Sequence, residues 1–322
     1  FTAEWYKNTS EDLLYAVPVP EQAGVSNTTV TMNAASMNNS GFEFSATYRN
    51  RDRDFKYELS ANLSTLRNRV TSLGFGTDSY ISGAYITNVG QEIGQFYGWA
   101  YEGIARTQED LDNHATQEGA QIGDCLYKDI SGPDGKPDGK VDANDQVVLG
   151  SGMPKIHFGL NARFEYKRFD LSIATFGALN YHVSDDIYNS LNSCYGWGNK
   201  EVGMLDANRF SEDGSTYLSN VPRTYVTNSA SLGWNDLFSS RKTQNAAYWK
   251  IANVELGYNF PNEWFGKYVS DVRFYVSAQN LHTFTGYHGY NVDYAGGTFT
   301  PGYNFCSYPT ARTFMCGVHF TF

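Results

Sequence analysis

The sequence has few charged residues and few cysteines, and it lacks any long apolar run. Charged residues make up 18% of the 322 residues, against about 25% in average globular chains. No apolar run approaches the length of a transmembrane helix, which excludes a helical membrane protein. The four cysteines are too few for a disulfide scaffold, and no CxxC or Cys/His spacing suggests zinc. We expect unpaired or singly paired cysteines in loops.

The charge balance and the absence of catalytic motifs argue against two further classes. The formal net charge is −10 and the pI is about 5.1, without a basic stripe, which argues against nucleic acid as a partner. No GxSxG elbow or HExxH pattern occurs. Ser79 stands where a dinucleotide fingerprint at Gly74 requires glycine. Asp185 and Asp186 are expected to form a solvated loop rather than an acid/base pair, so the sequence predicts no enzyme.

Aromatic residues, by contrast, are abundant at 16% of the chain, and many recur at every second position. The stretch from Pro154 to Tyr181 shows this pattern most clearly, with a charged turn at Lys167 and Arg168. A period of two places the apolar residues on one face of an extended strand. The apolar positions are Ile156, Phe158, Leu160, Ala162, Phe164 and Tyr166, then Phe169, Leu171, Ile173 and Thr175.

The opposite face of this hairpin is strongly polar and carries Lys155, His157, Arg163 and Glu165. A membrane-spanning strand needs about 9–11 residues, with apolar side chains toward lipid and polar ones toward a lumen. A mean hydropathy of −0.46 agrees with strands of which one face contacts water. We therefore predict an all-β fold, a transmembrane antiparallel β-barrel, with His157 in the lumen. The alternatives are a complete small outer-membrane barrel (adhesin or enzyme) and a secreted carbohydrate-binding β-sandwich.

The same alternation predicts about eight spanning strands with long loops between some of them. Short turns are expected in the periplasm and long loops outside the cell. This makes 71–153, 183–244 and 287–308 extracellular loops, provided that 93–104 does not span the membrane. Residues 8–40, rich in Asn, Ser and Thr, are expected to form a further loop. The strands are predicted near 1–6, 42–49, 55–64, 154–166, 169–175, 248–260, 272–281 and 314–322.

Two local features add detail to this prediction. Thr107 is expected to cap a short helix, with Asp110 three residues further on. The alternation slips at Asn280 and Leu281, which predicts a β-bulge.

Six short motifs follow one another from about residue 40 to the end of the chain. They are Gly41-Phe-Glu43, Gly94-Gln-Phe-Tyr-Gly98, an Asp/Gly loop before Val148-Leu-Gly150, Pro154 before a strand, Ser277-Ala-Gln-Asn-Leu281 and Thr283-Phe-Thr-Gly-Tyr287. In this order they resemble SusC/RagA-type TonB-dependent transporters of Bacteroidetes-like bacteria. The resemblance implies the C-terminal part of a larger barrel, with the plug domain absent from this chain. It also implies TonB-powered import of oligosaccharides or peptides, and a SusD-like surface lipoprotein as partner.

The two ends of the chain favour the same interpretation. Phe1 begins in mid-strand without a signal peptide, which indicates that an N-terminal part is missing. Gly317, Phe320 and the terminal Phe322 resemble the signal that the outer-membrane assembly machinery recognises, although the family usually has a polar residue at the position of Met315. We expect the protein in the cell outer membrane, in contact with membrane lipid.

Substrate contact is expected from aromatic rings outside the spanning strands, because such rings stack on sugar faces and on peptide side chains. The competing role is loop packing or a membrane-interface girdle, which we expect for Trp99, Tyr248, Trp264 and Tyr268. The candidates for substrate contact are Tyr195, Trp197, Trp234, Tyr287, Tyr290, Tyr294 and Tyr303.

An aspartate-rich segment, 129–145, fits the register of a calcium-binding loop, which makes calcium the one possible cofactor. Counted from Asp134, Lys136 puts a cation where a ligand oxygen belongs, whereas a register that starts at Asp129 and resumes at Asp138 avoids it. The alternative is a polar turn made of Asp and Gly for conformational reasons. The candidate ligands are Asp129, Asp134, Asp138, Asp142 and Asp145.

Overall fold

The computed structural model describes residues 1–18, 29–74, 76–194, 198–224, 230–265, 269–293 and 296–322. The first strands are β1 (Thr2–Pro18), β2 (Thr29–Asn50), β3 (Phe55–Thr65), β4 (Arg67–Ser72), β5 (Ser79–Ser82), β6 (Tyr85–Asn88), β7 (Gln95–Trp99), β8 (Tyr101–Ile104) and β9 (Cys125–Tyr127). The later strands are β10 (Gln146–Ser151), β11 (Ile156–Tyr166), β12 (Phe169–Leu179), β13 (His182–Asp185), β14 (Gln244–Asn245), β15 (Tyr248–Asn259), β16 (Asp271–Thr285), β17 (Tyr303–Asn304) and β18 (Thr313–Thr321). The α-helices are α1 (Gln108–Asn113) and α2 (Asp186–Leu191).

Eight long strands form one sheet in chain order, β1-β2-β3-β11-β12-β15-β16-β18, with the short β4 also beside β2. Every neighbouring pair along this path is antiparallel. The predicted eight antiparallel strands are confirmed, and the segment 93–104 lies outside this sheet, in β7 and β8. In the described part of the chain, β1 and β18 are the two edges of the sheet. The sheet is therefore an open arc, which argues against a complete eight-stranded barrel.

The strand register aligns apolar side chains across the sheet. Because side chains alternate between the two faces of a strand, residues that lie opposite one another on neighbouring strands share a face. One such row runs from β3 to β18 through Tyr57, Phe164, Leu171, Leu256, Val276 and Cys316. One face of the sheet is consequently apolar from β3 to β18, as the alternation predicts.

The predicted loop at 8–40 is wrong, because β1 continues to Pro18 and β2 begins at Thr29. Its polar side chains bond across the strands instead of leaving the ladder. Thr9 Oγ1 donates to Asn38 Oδ1 at 2.8 Å, and Asn68 Nδ2 donates to Asn39 Oδ1 at 2.7 Å. Such cross-strand pairs stabilise a sheet. Polar residues that are typical of loops therefore lengthen the β1–β2 hairpin here.

The two predicted local features are both present. Thr107 caps α1 in a capping box, in which Asp110 N donates to Thr107 Oγ1 at 3.3 Å and Thr107 N donates to Asp110 Oδ2 at 2.9 Å. On β16 the register slips opposite Ile251 and Asn253, and Asn280 adopts a left-handed φ of 51°. Among the described residues, the helices are too short and too polar to cross a membrane.

The segments between the long strands carry most of the buried hydrophobic residues among those described. They form a four-stranded sheet (β10-β7-β6-β5), a three-stranded sheet (β14-β13-β17) and the pair β8-β9. One cluster joins Tyr181, Val183, Tyr248 and Tyr287. Others centre on Val70, Leu73 and Ile93 and on Cys125, Tyr127 and Val141. In a β-sandwich the apolar faces of the long strands are buried. Here those faces are exposed, and the buried clusters lie mainly in the connecting segments.

All four cysteines are free. Cys125 and Cys194 are buried, whereas Cys306 and Cys316 are exposed. Burial raises the pKa of the Cys125 thiol to about 12 and that of Cys194 to about 11. The expectation that all four lie in loops is wrong for Cys125 on β9 and Cys316 on β18.

Candidate functional site

The apolar face of the sheet is exposed over its full width. Leu160 in the middle of β11 keeps 47% of its surface accessible. Soluble monomers rarely expose a contiguous apolar patch larger than a few hundred Å², so this face argues against a secreted sandwich. Its exposed members include Trp5, Phe42, Phe44, Leu59, Leu63, Leu160, Phe169, Leu256, Phe274, Val276, Val318 and Phe320.

The opposite face carries paired charges. Arg273 on β16 donates to Asp170 on β12 at 3.0 Å and to Glu255 on β15 at 2.7 Å. Arg49 on β2 donates to Glu58 on β3 at 2.7 Å. Charges that are satisfied by their neighbours in this way suit a water-filled lumen better than a packed interior.

The predicted aromatic contact residues do not meet at one place in the described part of the chain. Tyr195, Trp197 and Tyr294 lie outside the described residues. Trp234 lines one cleft, and Tyr287 and Tyr290 line another. Tyr303 lies on β17, with its ring stacked against Phe305 at 6.5 Å. The substrate contacts of all seven stay predictions.

Trp234 lies in a cleft that also contains Trp99, for which we expected only a packing or girdle role. The cleft has a volume of about 580 Å³ and includes Leu237. Trp99 Nε1 donates to the Asp142 carbonyl at 3.0 Å, and Trp234 Nε1 donates to the Glu118 carbonyl at 2.8 Å. With both indole N–H groups satisfied, the rings offer apolar surface to a ligand.

Tyr287 is buried, and its hydroxyl belongs to a network that joins two of the long connecting segments. It donates to the Asp185 carboxylate and accepts from Asn304 Nδ2 at 2.8 Å. The other Asp185 oxygen accepts from Tyr188 N at 2.9 Å and caps α2. Burial, with the hydrogen bond to Asp185, raises the pKa of Tyr287. The expectation that Asp185 is solvated is wrong, because this network buries it.

Within the aspartate-rich segment, Asp145 is fully buried and acts as a backbone anchor. Its carboxylate accepts from Ile130 N at 2.7 Å, Ser131 N at 3.0 Å and Asp142 N at 2.7 Å. Burial by itself would raise the pKa of Asp145, but these backbone donors outweigh it and the pKa lies below its ordinary value.

The other predicted calcium ligands are arranged in a similar way. Asp129 accepts from Gly139 N at 2.7 Å, and Asp142 accepts from Asn144 N at 2.7 Å. Asp138 accepts from the backbone of Lys140, and Asp134 is exposed at the turn. No group of three or more His, Cys, Asp or Glu in the described ranges is placed to hold a metal ion. Calcium therefore stays a prediction.

Known proteins are similar to this chain in sequence and in fold, although no family model matches the sequence. The TonB-dependent receptor P3 of Formosa agariphila is 30% identical over 338 residues, which cover 99% of this chain and 32% of that protein. The TonB-dependent receptor SusC of Bacteroides thetaiotaomicron is 25% identical and covers 98% of this chain and 29% of that protein. The sequence is similar to TonB-dependent receptors, SusC among them, over almost its whole length. It spans about a third of the length of the curated relatives it matches.

Solved structures contain the same fold within longer chains. The RagAB peptide transporter superposes with a TM-score of 0.76 at 22% identity, over 99% of this chain and 33% of that one. The RagAB importer in its closed-closed state gives a TM-score of 0.74 at 24% identity. This likeness shows the fold. The predicted partial transmembrane barrel is confirmed, with the open arc as a portion of its wall.

Proposed function

We propose that this chain is part of the barrel wall of an active importer in the cell outer membrane. The observation that carries the proposal is the contrast between the two faces of one sheet, represented on β11 by the exposed Leu160 and by Arg163. The apolar face contacts lipid and the charged face lines the passage. Nutrient moves by binding and gated passage without chemical conversion, in agreement with relatives that are named receptors.

The imported nutrient is an oligosaccharide or a peptide, and TonB powers its passage through parts of the protein beyond this chain. The names of the TonB-dependent relatives support the energy source. The neighbour described as a peptide transporter supports peptides as one class of cargo. Aromatic rings at the clefts of Trp234 and Tyr290 suit both sugars and peptide side chains.

The segments 71–153, 183–244 and 287–308 form the external mouth, and a SusD-like surface lipoprotein docks on them. The family resemblance supports this partner. So do Val202 and Leu205, which are 80% and 83% exposed on a short turn of the second segment. Because this turn lies outside the lipid-facing sheet, two exposed apolar side chains three positions apart favour a protein contact there.

Uptake by cells tests the proposal. Cells that produce the full-length protein in the outer membrane are given fluorescent peptides and oligosaccharides, with and without a protonophore. We expect uptake to require the protein and to stop when the proton-motive force collapses. Uptake that persists with the protonophore would instead indicate a passive pore. Co-purification of a lipoprotein with the wild type, weakened in a Val202→Ser, Leu205→Ser variant, tests the docking surface.

A further inference from the structure

Lys250 is a buried residue whose positive charge has no counter-charge among the described residues. It lies on β15, is only 5% exposed, and its ammonium is 5.7 Å from the centre of the Phe176 ring. The ion pairs of lysine among the described residues are those of Lys155 and Lys242, and no hydrogen bond of the described residues involves the Lys250 ammonium. Although the residue is buried, its ammonium is not among the fully enclosed unpartnered atoms and reaches the adjoining pocket. One ring face compensates only part of the cost of taking a charge out of water.

The Lys250 side chain lines a pocket of about 380 Å³ at the end of β15 and β16 that leads to the long connecting segments. We call this the Lys250 pocket, and its walls include Thr283, Tyr290, Asp293 and Arg312. Arg312 is exposed and makes no ion pair with the described residues. Asp293, the acid among these walls, accepts from Tyr248 Oη at 3.2 Å. Among its described lining residues, the pocket therefore holds two permanent cations against one carboxylate.

The pocket is built by the chain itself. Lys250 is fixed between Phe176 on β12 and Thr283 on β16 by the strand register. The bulge on β16 turns Asn280 into its left-handed conformation, and Asn280 Nδ2 donates to the Ala311 carbonyl at 3.0 Å. That contact holds the residue before Arg312 against β16. Bulges that redirect a side chain in this manner are common beside functional sites.

We propose that the Lys250 pocket binds a carboxylate group of the imported ligand, between Lys250 and Arg312. The proposal rests on the proposed function and adds the chemical class of the cargo. One singly charged anion balances the surplus cation, and Thr283 and Tyr290 offer hydroxyl groups for its remaining lone pairs. The carboxylate belongs either to a peptide or to an acidic sugar, since both carry the same group.

Matched ligand pools test this inference on the purified full-length protein. One arm uses a tryptic peptide pool and the same pool after methyl esterification of its carboxyl groups. The other arm uses oligogalacturonides and their carboxyl-reduced form. The variants are Lys250→Met, which keeps the packing on Phe176, and Arg312→Gln, which is exposed and leaves folding intact. Lys56→Met on the charged face of β3 is the control.

We expect the wild type to retain the free acids of one pool at least tenfold better than their neutral forms. Lys250→Met and Arg312→Gln lose this preference, and Lys56→Met keeps it. A preference in the first arm alone identifies peptides, and one in the second arm alone identifies acidic sugars. Equal retention of acid and neutral forms by the wild type overturns the carboxylate proposal while import stands. If no pool binds in either form, both proposals fall.

A loss of thermal stability in Lys250→Met with an unchanged ligand preference also overturns the inference. That result means that Lys250 pairs with a carboxylate elsewhere in the full-length protein. If Lys250 has such an internal partner, the ligand does not use this pocket. Arg312→Gln should then also keep the ligand preference of the wild type.

Discussion

Arg273 and Asp170 are bonded at 3.0 Å across an intervening strand, because β15 lies between β16 and β12. Glycine at position 257 makes this possible, since a Cβ there would lie 2.4 Å from the Arg273 guanidinium and 2.5 Å from the Asp170 carboxylate. The pair therefore ties three strands together on the charged face.

Replacement of Arg273 by Met should destabilise the sheet by about 2 kcal/mol, because Asp170 loses its charged donor. Arg163→Met, which removes an exposed pair with Glu165, should cost less than about 1 kcal/mol. Urea unfolding of the full-length protein in vesicles measures both. Equal losses of unfolding free energy would mean that the Arg273–Asp170 pair stabilises the sheet no more than an exposed ion pair does.

Asp145→Asn should loosen the aspartate-rich segment, because a neutral amide is a weaker acceptor for three backbone N–H groups. The expected loss is about 1–3 kcal/mol of local stability. Since the pKa of Asp145 lies below its ordinary value of 3.8, its contribution is present above that pH and disappears as acid titrates the folded carboxylate. Hydrogen exchange at Ile130 and Ser131 from pH 6 down to about pH 2 measures both effects, and protection of the wild type that equals that of Asp145→Asn at every pH would contradict this account.

Calcium is tested on the same segment by proteolysis. If the loop binds Ca²⁺, millimolar Ca²⁺ should slow cleavage at 129–145 in the wild type and leave Asp138→Ala unaffected, because a divalent cation needs several oxygens at once. Mg²⁺ serves as the control ion. Unchanged cleavage in all samples would leave the polar turn as the explanation of this composition.

Tyr287→Phe should loosen the contact between the segments 183–244 and 287–308, because Asp185 and Asn304 each lose a hydrogen bond to the Tyr287 hydroxyl and keep only the one between themselves. We expect a loss of about 1–3 kcal/mol, seen as faster protease cleavage in both segments. Tyr290→Phe, at an exposed residue, should leave cleavage unchanged. Equal cleavage in the two variants would remove the network as the element that holds these segments.

The long strands were predictable because one face of each strand is apolar and the other is polar, which leaves a period of two in the sequence. The extension of β1 and β2 was not, because Asn, Ser and Thr are typical of loops and their cross-strand bonds become visible only in the register. The burial of Asp185 was not predictable either, since its partner Tyr287 lies 102 residues away in the sequence. The neighbours of Lys250 likewise come from two other strands, β12 and β16, and from the connection between β16 and β18.

Nitroxide labels along β11 test the central claim most directly. Single cysteines at 157 to 164, in full-length protein with Cys306 and Cys316 replaced by Ala, report collision with oxygen in the lipid and with a water-soluble nickel chelate. We predict high oxygen accessibility at Phe158, Leu160 and Phe164 and high nickel accessibility at Asn161 and Arg163. Equal accessibility at adjacent positions, or the reverse alternation, would contradict the membrane assignment.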